Sequence, residues 1–418
     1  MRIEILSVGN ELLSGEVVNT NEAMIARLLL DVGYTVGYMA TLPDERGALR
    51  EKMAEMTARA DVVLVTGGLG PTEDDVTRDA AADVVRRPLV TDAETLKQLQ
   101  KRFQDEAIWR RQATFPKGAR LLPNALGTAV GFAAEVNGSS LIVLPGVPKE
   151  MEMMLRDDVL PLLNKKSAPR WRRRSFFFCL KFEFEFDAAL SGLKKSYPSL
   201  EVGSSLSHGI VALHIVAQVE NKRGERALRG AEKEAKALFP GYLFSTESIA
   251  IEKAVHGALR AQRKTLALAE SCTGGALTAR LTALAGISEV LLGSVISYAN
   301  AAKSALLGVD KAVIEAHGAV SQEVVVAMAK GVLNVTGAHL ALATSGVAGP
   351  SGGTKEKPVG TVWVAFGVKE GEVYSHCLYL RKTLGRKGII DFIVTYLFAS
   401  LWRYLVHGVL PFEEIKIR

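Results

Sequence analysis

The chain is long enough for several domains and has the composition of an ordinary globular protein. It has 418 residues, of which 48% are hydrophobic and 23% charged, and its formal net charge is +6. One hydrophobic core rarely serves so long a chain, so we expect two or three domains. The three cysteines are widely spaced and odd in number, which argues against a disulfide framework or a metal knuckle.

No secretory or membrane signal is found in the sequence. The chain passes directly from Met1 into an alternating, strand-like run, without the charged and apolar regions of a signal peptide. The apolar segment from Ile389 to Leu405 is interrupted by Asp391 and Arg403, which favours a buried helix over a membrane span. We therefore expect a reduced, cytoplasmic protein with no membrane partner.

Short apolar runs alternate with amphipathic stretches over residues 1 to about 165. The pattern predicts strands near residues 3–8, 34–40, 61–66 and 141–144, with helices between them. Near-continuous apolar strands that alternate with helices indicate a parallel sheet covered on both faces.

A basic run from Lys165 to Arg174 marks a boundary, and we interpret it as a solvated linker rather than a nucleic-acid patch. The β-rich run Phe176 to Phe186, a strand from Ile210 to Val219 and a charged helix after it predict a small α+β module. The remaining residues again alternate between strands and helices. The predicted fold class is therefore α/β, with two α/β domains of mostly parallel sheets joined by that module. The predicted boundaries are 1–167, 168–245 and 246–418.

The first candidate for chemistry is the segment E-S-C-T-G-G, residues 270–275, which follows a predicted strand and precedes a helix. Such a turn places Ser271 where unpaired backbone N–H groups and the helix dipole favour negative charge. That position suits a nucleophile, with N–H groups around Thr273 to Gly275 holding the oxyanion. On this segment alone, a helix cap is the preferred interpretation of Ser271.

The second candidate is the segment S-Y-A-N-A-A-K, residues 297–303, which ends another apolar strand. Lys303 can act as a general base if burial or a neighbouring cation lowers its pKa. Tyr298 can relay the proton or position the leaving group. A surface lysine and a packed tyrosine are the commoner situation.

A glycine-rich stretch, residues 344–353, follows a third apolar strand and begins at Thr344. Bare backbone at Gly346 and Gly349 would let a phosphate or a ribose approach closely. A surface loop without a ligand is the alternative.

The densest motif is V-T-G-G-L-G-P-T-E-D-D-V-T, residues 65–77, between a predicted strand and a helix. Ligands of doubly wound folds bind at the carboxyl edge of the sheet, where this loop would lie. Asp74 and Asp75 are candidate ligands of a divalent cation, although helix capping explains an aspartate pair alone. The predicted nucleotide site consists of Glu11, Asp44, Gly67, Gly68, Gly70 and Thr72.

Together, the three C-terminal segments resemble the CinA family of competence/damage-inducible proteins. The family pattern is E-S-C-T-G-G, then S-Y-x-x-x-x-K, then T-G-V-A-G-P with K-P-x-G-T-V, and this chain meets it almost in full. The resemblance implies a nicotinamide-nucleotide amidohydrolase, which converts nicotinamide mononucleotide to nicotinic acid mononucleotide and ammonia without a cofactor. It implies Ser271 as nucleophile, ahead of Cys272, with Lys303 and Tyr298 as its partners. The implied oxyanion and substrate contacts are Thr273, Gly274, Gly275, Thr344, Gly346, Gly349 and Arg386.

The N-terminal segment resembles the molybdopterin-binding fold, in the version that the CinA family carries. The patterns G-N-E-L-L-x-G and T-G-G-L-G-P-T-x-D-D-x-T are present, whereas N-x-K-Q-A is only partly met because Trp109 and Arg111 replace its asparagine and lysine. The resemblance implies a pyrophosphatase that splits ADP-ribose into AMP and ribose 5-phosphate, with a divalent metal ion of open identity.

Two segments depart from the family pattern. A usual G-D-R becomes L-G-R at residues 384–386, so Arg386 remains while the acid is missing. A usual G-I-G-E-S becomes L-K-F-E-F at residues 180–184, which favours a structural spacer for the middle module.

We expect a homo-oligomeric, two-activity enzyme of pyridine-nucleotide salvage that acts on nicotinamide mononucleotide and ADP-ribose, with no nucleic-acid partner. The alternative is a non-catalytic partner protein, linked to competence or DNA damage, that binds only a nucleotide or a pterin. The basic residues from Arg172 to Arg174 are the feature that would favour it.

Overall fold

The computed structural model describes residues 1–101, 106–166, 171–207, 209–219 and 222–412. The chain divides into two compact units, residues 1–173 with 216–225 and residues 174–215 with 226–418. The boundary predicted between residues 167 and 168, and part of the basic run beside it, lie outside the described residues. The division into three domains stays a prediction.

The first unit is built on a six-stranded sheet. Its elements are β1 (Ile3–Val8), α1 (Asn10–Leu13), α2 (Thr20–Asp31), β2 (Val36–Leu42), α3 (Arg46–Thr57), β3 (Val62–Thr66), α4 (Thr77–Val85), β4 (Leu89–Thr91), α5 (Ala93–Gln100), α6 (Glu106–Gln112), β5 (Thr114–Pro116), β6 (Arg120–Leu122), β7 (Gly131–Val136), β8 (Ser139–Leu144), α7 (Pro148–Met154) and α8 (Leu160–Lys166).

The strand order in this sheet is β2-β1-β3-β8-β7-β6. The first three pairs are parallel and the last two antiparallel. Every residue of β1, β3 and β8 is buried, as central strands covered on both faces require. Asn137 and Gly138 both have positive φ, which gives the tight turn that makes β7 antiparallel to β8.

The middle of the chain forms a four-stranded sheet with order β10-β11-β9-β12. Its elements are β9 (Trp171–Cys179), α9 (Asp187–Ser196), β10 (Leu200–Ser207), β11 (Ile210–Gln218), α10 (Lys222–Ala237) and β12 (Leu243–Ser245). The strand predicted over Phe176 to Phe186 ends earlier, at Cys179. Leu180 takes a positive φ, and a short 3-10 helix spans Glu183–Phe186.

The rest of the second unit is built on a five-stranded sheet with order β14-β13-β15-β16-β17. Strand β13 is parallel to both of its neighbours, whereas β15 with β16 and β16 with β17 are antiparallel. Its elements are α11 (Ile251–Ala261), β13 (Leu266–Glu270), α12 (Ala276–Thr282), β14 (Leu291–Ile296), α13 (Asn300–Leu307), α14 (Lys311–His317), α15 (Gln322–Thr336), β15 (Leu340–Gly346), β16 (Thr361–Val368), β17 (Val373–Tyr379) and α16 (Gly385–His407).

Helix α16 has the length and composition of a membrane span, and it is the one such helix among the described residues. Its most apolar window is 72% buried inside the protein. This burial agrees with the predicted buried helix.

The α/β fold class predicted from the sequence is confirmed. The two larger sheets are more mixed than predicted, because each adds antiparallel strands at one edge to a parallel centre.

Candidate active site

Ser271 lies at the carboxyl end of β13, in a turn that leads into α12. Strands β14 and β15 run parallel to β13, so the carboxyl ends of all three strands meet at one edge of the sheet. The turn requires glycine at position 275, where φ is +100° and a Cβ would lie 3.0 Å from Ile296 Cδ1. Ser271 is only 8% exposed at this edge.

Lys303 reaches Ser271 from α13. Its Nζ lies 3.0 Å from Ser271 Oγ and donates to the carbonyl oxygens of Ser297 at 2.7 Å and Tyr298 at 3.3 Å. The residue is 1% exposed, and this burial lowers the pKa of the ammonium because the protein interior disfavours the charged form.

These three contacts are compatible with both protonation states of the amine, and the neutral amine is the form that can act as a base. Its two N–H bonds donate to the carbonyls of Ser297 and Tyr298, and its lone pair is left to accept the proton of the Ser271 hydroxyl. An ammonium would use all three N–H bonds and offer Ser271 no acceptor. Ser271 and Lys303 therefore have the geometry of a nucleophile and its general base.

Cys272, the competing nucleophile, is placed differently. Its side chain is buried, and burial raises the pKa of the thiol to about 12, so the reactive thiolate is not formed at neutral pH. The amine of Lys303 is hydrogen-bonded to Ser271 Oγ. The geometry therefore favours Ser271 over Cys272.

Tyr298 is 60% exposed, and its hydroxyl accepts a hydrogen bond from Arg386 Nη2 at 3.0 Å. Arg386, in the first turn of α16, also donates from Nη1 to the carbonyl oxygen of Gly349 at 2.8 Å. The group of Tyr298 that contacts Lys303 is its carbonyl, not its hydroxyl. A proton relay through the hydroxyl stays a prediction, whereas Tyr298 and Arg386 are brought together at the mouth of the site.

The expected oxyanion donors need a correction. The N–H of Gly274 donates to the carbonyl oxygen of Ser271 at 3.0 Å, and the N–H of Gly275 donates to Glu270 Oε2 at 3.0 Å. Both groups are therefore occupied within the turn. The N–H groups of Cys272 and Thr273 have no carbonyl or carboxylate acceptor in the described part of the chain. They are the better candidates to bind an oxyanion.

In the glycine-rich stretch, residues 344–353, Thr344 faces the site, whereas packing explains the glycines at 346 and 349. Thr344, on β15, faces the site and its Oγ1 lies 2.8 Å from Thr273 Oγ1. A Cβ on Gly346 would lie 2.6 Å from Val362 Cγ2, and one on Gly349 would lie 2.6 Å from Val359 Cγ1. Packing against these valines is therefore enough to require both glycines, without a ligand.

The predicted nucleotide site lies at the carboxyl edge of the first unit's sheet, around a cavity of about 440 Å³. A Cβ on Gly67 would lie 2.2 Å from the carbonyl oxygen of Val8, so bare backbone is required there. Thr72 is absent from the lining but donates to Asp75 from its N–H and its hydroxyl. The predicted residues that do line the cavity are Glu11, Asp44, Gly67, Gly68, Gly70, Asp74 and Asp75.

The carboxylates around this cavity repel one another. Burial raises the pKa of Asp44, the N–H of Asn10 opposes that rise, and the charges of Glu11, Asp75 and Asp74 add to it. Among the described residues, no three His, Cys, Asp or Glu side chains are grouped closely enough to cage a metal ion. Magnesium, however, is usually bound by one or two carboxylates together with waters and substrate phosphates, and such a shared ion fits this negative cavity.

Asp75 has a structural role that the sequence did not predict. Its carboxylate accepts from the N–H of Gly70 at 2.8 Å and from the N–H of Thr72 at 2.9 Å, so it closes its own loop. Asp44 and Asp74 are therefore better placed than Asp75 to meet a cation.

Arg78 also has a structural role that was not predicted from the sequence. It is 2% exposed and donates to the carbonyl oxygens of Leu69 and Gly70. Burial lowers the pKa of Arg78 to about 10.

Comparisons with known proteins agree with both halves of this description. Residues 4–165 match the family description "Probable molybdopterin binding domain", and residues 248–405 match "CinA C-terminal domain". The chain thus combines a molybdopterin-binding-type α/β domain with a CinA-type C-terminal domain. A CinA-like protein of Citrifermentans bemidjiense is 41% identical over 374 residues, which cover 87% of this chain and 89% of that protein. This chain belongs to the CinA family.

Two further proteins are similar to this chain, one at a lower identity and one over a smaller share of its length. A putative competence-damage inducible protein of Clostridium tetani is 35% identical and covers 88% of this chain and 92% of its own length. A solved CinA superfamily protein of Klebsiella pneumoniae is 34% identical, covers 38% of this chain and 96% of its own, and gives a TM-score of 0.36.

Proposed function

We propose that the second unit is a serine amidohydrolase that converts nicotinamide mononucleotide to nicotinic acid mononucleotide and ammonia. The observation that carries the proposal is the 3.0 Å contact between the buried amine of Lys303 and Ser271 Oγ. Membership of the CinA family supports the choice of substrate, through the motifs that resemble nicotinamide-nucleotide amidohydrolases.

The first half of the reaction forms an ester on the protein. The neutral amine of Lys303 takes the hydroxyl proton of Ser271, and Oγ attacks the carboxamide carbon. The N–H groups of Cys272 and Thr273 stabilise the oxyanion of the tetrahedral intermediate. The Lys303 ammonium then gives its proton to the amide nitrogen, the carbon–nitrogen bond breaks, and ammonia leaves.

The second half returns the protein to its starting state. Lys303, again a neutral amine, takes a proton from water, and the hydroxide attacks the ester carbonyl carbon. The second tetrahedral intermediate collapses to the free carboxylic acid, which loses its proton to the solvent, and Ser271 Oγ recovers its proton from Lys303. One water is consumed for each ammonia released.

Arg386 is the proposed contact for the phosphate of the nucleotide. It lies at the start of the 23-residue helix α16, where backbone N–H groups and the helix dipole also favour an anion. Its guanidinium is already oriented by Gly349 and Tyr298, so little side-chain entropy is lost when a phosphate binds.

Ammonia release by the full chain tests this proposal. The wild type should release ammonia from nicotinamide mononucleotide, and Ser271→Ala should reduce kcat by at least about a thousandfold because the nucleophile is lost. Ser288→Ala, at an exposed serine of the same unit that lies outside the three motif segments, is the matched control and should retain the wild-type rate. Full activity in Ser271→Ala would exclude the serine mechanism.

For the first unit we propose a metal-dependent pyrophosphatase that splits ADP-ribose into AMP and ribose 5-phosphate. The supporting observation is the cavity at the sheet edge, where Asp44 and Asp74 meet bare backbone at Gly67 and Gly68. A divalent cation bound by the two carboxylates would neutralise the charge of the diphosphate. The bare backbone would let the phosphates approach the loop closely.

The metal proposal predicts that chelation stops AMP release and that a divalent cation restores it. Asp74→Asn should weaken calorimetric binding of the metal alone, whereas Asp157→Asn, an exposed aspartate of the same unit, should not. Unchanged metal binding in Asp74→Asn would remove this carboxylate from the site.

We propose a cytoplasmic enzyme rather than a nucleic-acid partner. Arg172, Arg173 and Arg174 form ion pairs with Glu225, Asp31 and Glu232, respectively. These pairs reduce the charge that the basic run offers to phosphates. Binding of either nucleotide without any turnover would favour the non-catalytic alternative.

A further inference from the structure

Glu270, the residue before Ser271, holds a carboxylate in the interior with no solvent exposure. Its Oε2 accepts from Thr273 Oγ1 at 2.7 Å, from the N–H of Gly275 at 3.0 Å and from the N–H of Leu277 at 3.2 Å. Its Oε1 accepts from the N–H of Thr278 at 2.9 Å and from Thr278 Oγ1 at 2.6 Å.

The pattern of these five contacts makes Glu270 the hydrogen-bonding centre of the turn. Each backbone N–H can only donate, and the carboxylate is saturated with donors on both oxygens. The two threonine hydroxyls are hydrogen-bonded to the same oxygens, so the three N–H groups and the two hydroxyls surround the carboxyl group on both sides. The five contacts replace the water that the buried carboxyl group has lost.

The first consequence concerns the backbone of the nucleophile turn. Glu270 occupies the N–H groups of Gly275, Leu277 and Thr278, which a helix start would otherwise leave open. The N–H groups of Cys272 and Thr273, next to Ser271, have no carbonyl or carboxylate acceptor in the described residues. Glu270 thus decides which amides of the turn are available to an oxyanion.

The second consequence concerns the direction of a hydroxyl chain. Thr273 has one hydroxyl proton and gives it to Glu270, so in the 2.8 Å contact between Thr273 and Thr344 the donor must be Thr344. The N–H of Ser271 donates to the carbonyl oxygen of Thr344 at 3.1 Å, and the hydroxyl oxygen of Thr344 is a second, longer acceptor for it at 3.4 Å. If Thr273 were the donor to Thr344 instead, the hydroxyl proton of Thr344 would be turned towards the Ser271 backbone.

We propose that Glu270 is a positioning residue for the amidohydrolase reaction, because its side chain fixes the Ser271 turn through five hydrogen bonds and orients the Thr273–Thr344 hydroxyl pair. Glu270 touches none of the reacting atoms and acts through the groups that do. The inference rests on the proposed function of Ser271.

The test is Glu270→Gln in the full chain, with kcat and KM for ammonia release measured separately. Glutamine keeps the size but replaces one acceptor oxygen by an N–H₂ group that faces N–H and O–H donors. We expect kcat to fall about a hundredfold, because small misplacements of reacting groups cause losses of this size. The KM should change less than about threefold. Glu252→Gln is the matched control, because Glu252 is also buried and binds Arg280 of α12 but does not contact the turn. It should lower the melting temperature while leaving kcat near the wild-type value.

A second variant keeps the proposal testable if Glu270→Gln does not fold. Thr278→Val preserves shape and removes the hydroxyl contact to Glu270 together with one to Ser294 Oγ, so kcat should fall about three- to tenfold at constant KM. Wild-type kcat in folded Glu270→Gln, or in Thr278→Val when that variant alone folds, would overturn the positioning role. So would an equal loss of kcat in Glu252→Gln. A wild type that releases no ammonia would instead overturn the proposed function, and the role of Glu270 with it.

Discussion

Replacement of Lys303 by methionine should abolish most of the ammonia release while leaving the protein folded. In the wild type, the Lys303 amine lies 3.0 Å from Ser271 Oγ. Methionine fills nearly the same buried volume but cannot accept the proton of that hydroxyl. A positioned general base contributes about 10²- to 10⁴-fold to the rate of such reactions. The expected loss in kcat/KM is therefore of that size, which corresponds to about 3 to 5 kcal/mol.

The pH dependence of the wild type gives an independent check on the same residue. Burial holds the pKa of Lys303 below its ordinary value of 10.5, and the base form is the active one. The value of kcat/KM should therefore rise with pH, with a midpoint below 10.5. In Lys303→Met this rise should disappear from the residual activity.

The stability of the protein should show the same lowered pKa. Between the folded pKa of Lys303 and 10.5, the unfolded chain binds more protons than the folded one, so the contribution of this group to stability rises with pH. Below the folded pKa the folded state carries the full cost of the buried ammonium. The free energy of unfolding of wild type relative to Lys303→Met should thus increase with pH across that window.

Lys311→Met, at an exposed lysine of the same unit, is the control and should match the wild type in every assay. Ammonia is measured by a coupled assay and unfolding by denaturant titration at each pH. A Lys303→Met variant with more than about a tenth of the wild-type kcat would refute the role of Lys303 as base.

Three further predictions concern other residues of the two sites. Cys272→Ala should keep kcat within about threefold of wild type in the ammonia assay, because a buried thiol with a pKa of about 12 is not the nucleophile. Arg386→Gln should raise KM about ten- to a hundredfold with kcat nearly unchanged, the effect of losing one charge-assisted contact to a phosphate. Gly68→Ala should destabilise the first unit by about 1 to 3 kcal/mol and reduce AMP release, because φ is +64° and the new Cβ would lie 2.1 Å from Thr77 Oγ1. Gly15→Ala, with φ of +78° and open space around it, should cost less in the same unfolding titration.

The pairing of Ser271 with Lys303 was implied by the resemblance to the CinA family, and the structure supplies its physical reason. Each residue follows an apolar strand, and the ends of neighbouring parallel strands meet at one edge of a sheet. Residues 32 positions apart in the chain can therefore come within 3.0 Å. The fold class was predictable for a similar reason, since buried parallel strands such as β1 and β3 form continuous apolar runs.

The donors and acceptors inside the turn were not predictable in this way. Whether the N–H of Gly275 is free or bound depends on where the carboxylate of Glu270 points, and that direction is set by packing around β13. The same limit applies to Tyr298, whose hydroxyl meets Arg386 from a helix 88 residues away in the chain. Motifs identify residue types at a site, whereas their hydrogen bonds depend on three-dimensional neighbours.

Glycines and apolar runs are the other ambiguous signals. Gly346 and Gly349 suggested a close ligand, yet contacts with Val362 and Val359 already exclude a side chain at both positions. The run from Phe176 to Phe186 suggested one long strand, and periodicity alone cannot distinguish a strand from a short buried helix in such a run.

The central claim is that Ser271 carries the acyl group during turnover, and acid-quenched peptide mapping tests it most directly. The experiment uses Cys272→Ala, so that the neighbouring thiol cannot capture the acyl group, and nicotinamide mononucleotide as substrate. The account predicts an ester of the pyridinium carboxyl group on the peptide that contains Ser271, and none when Ser271→Ala is added. An ester on a different residue, or ammonia release at the wild-type rate without Ser271, would contradict it.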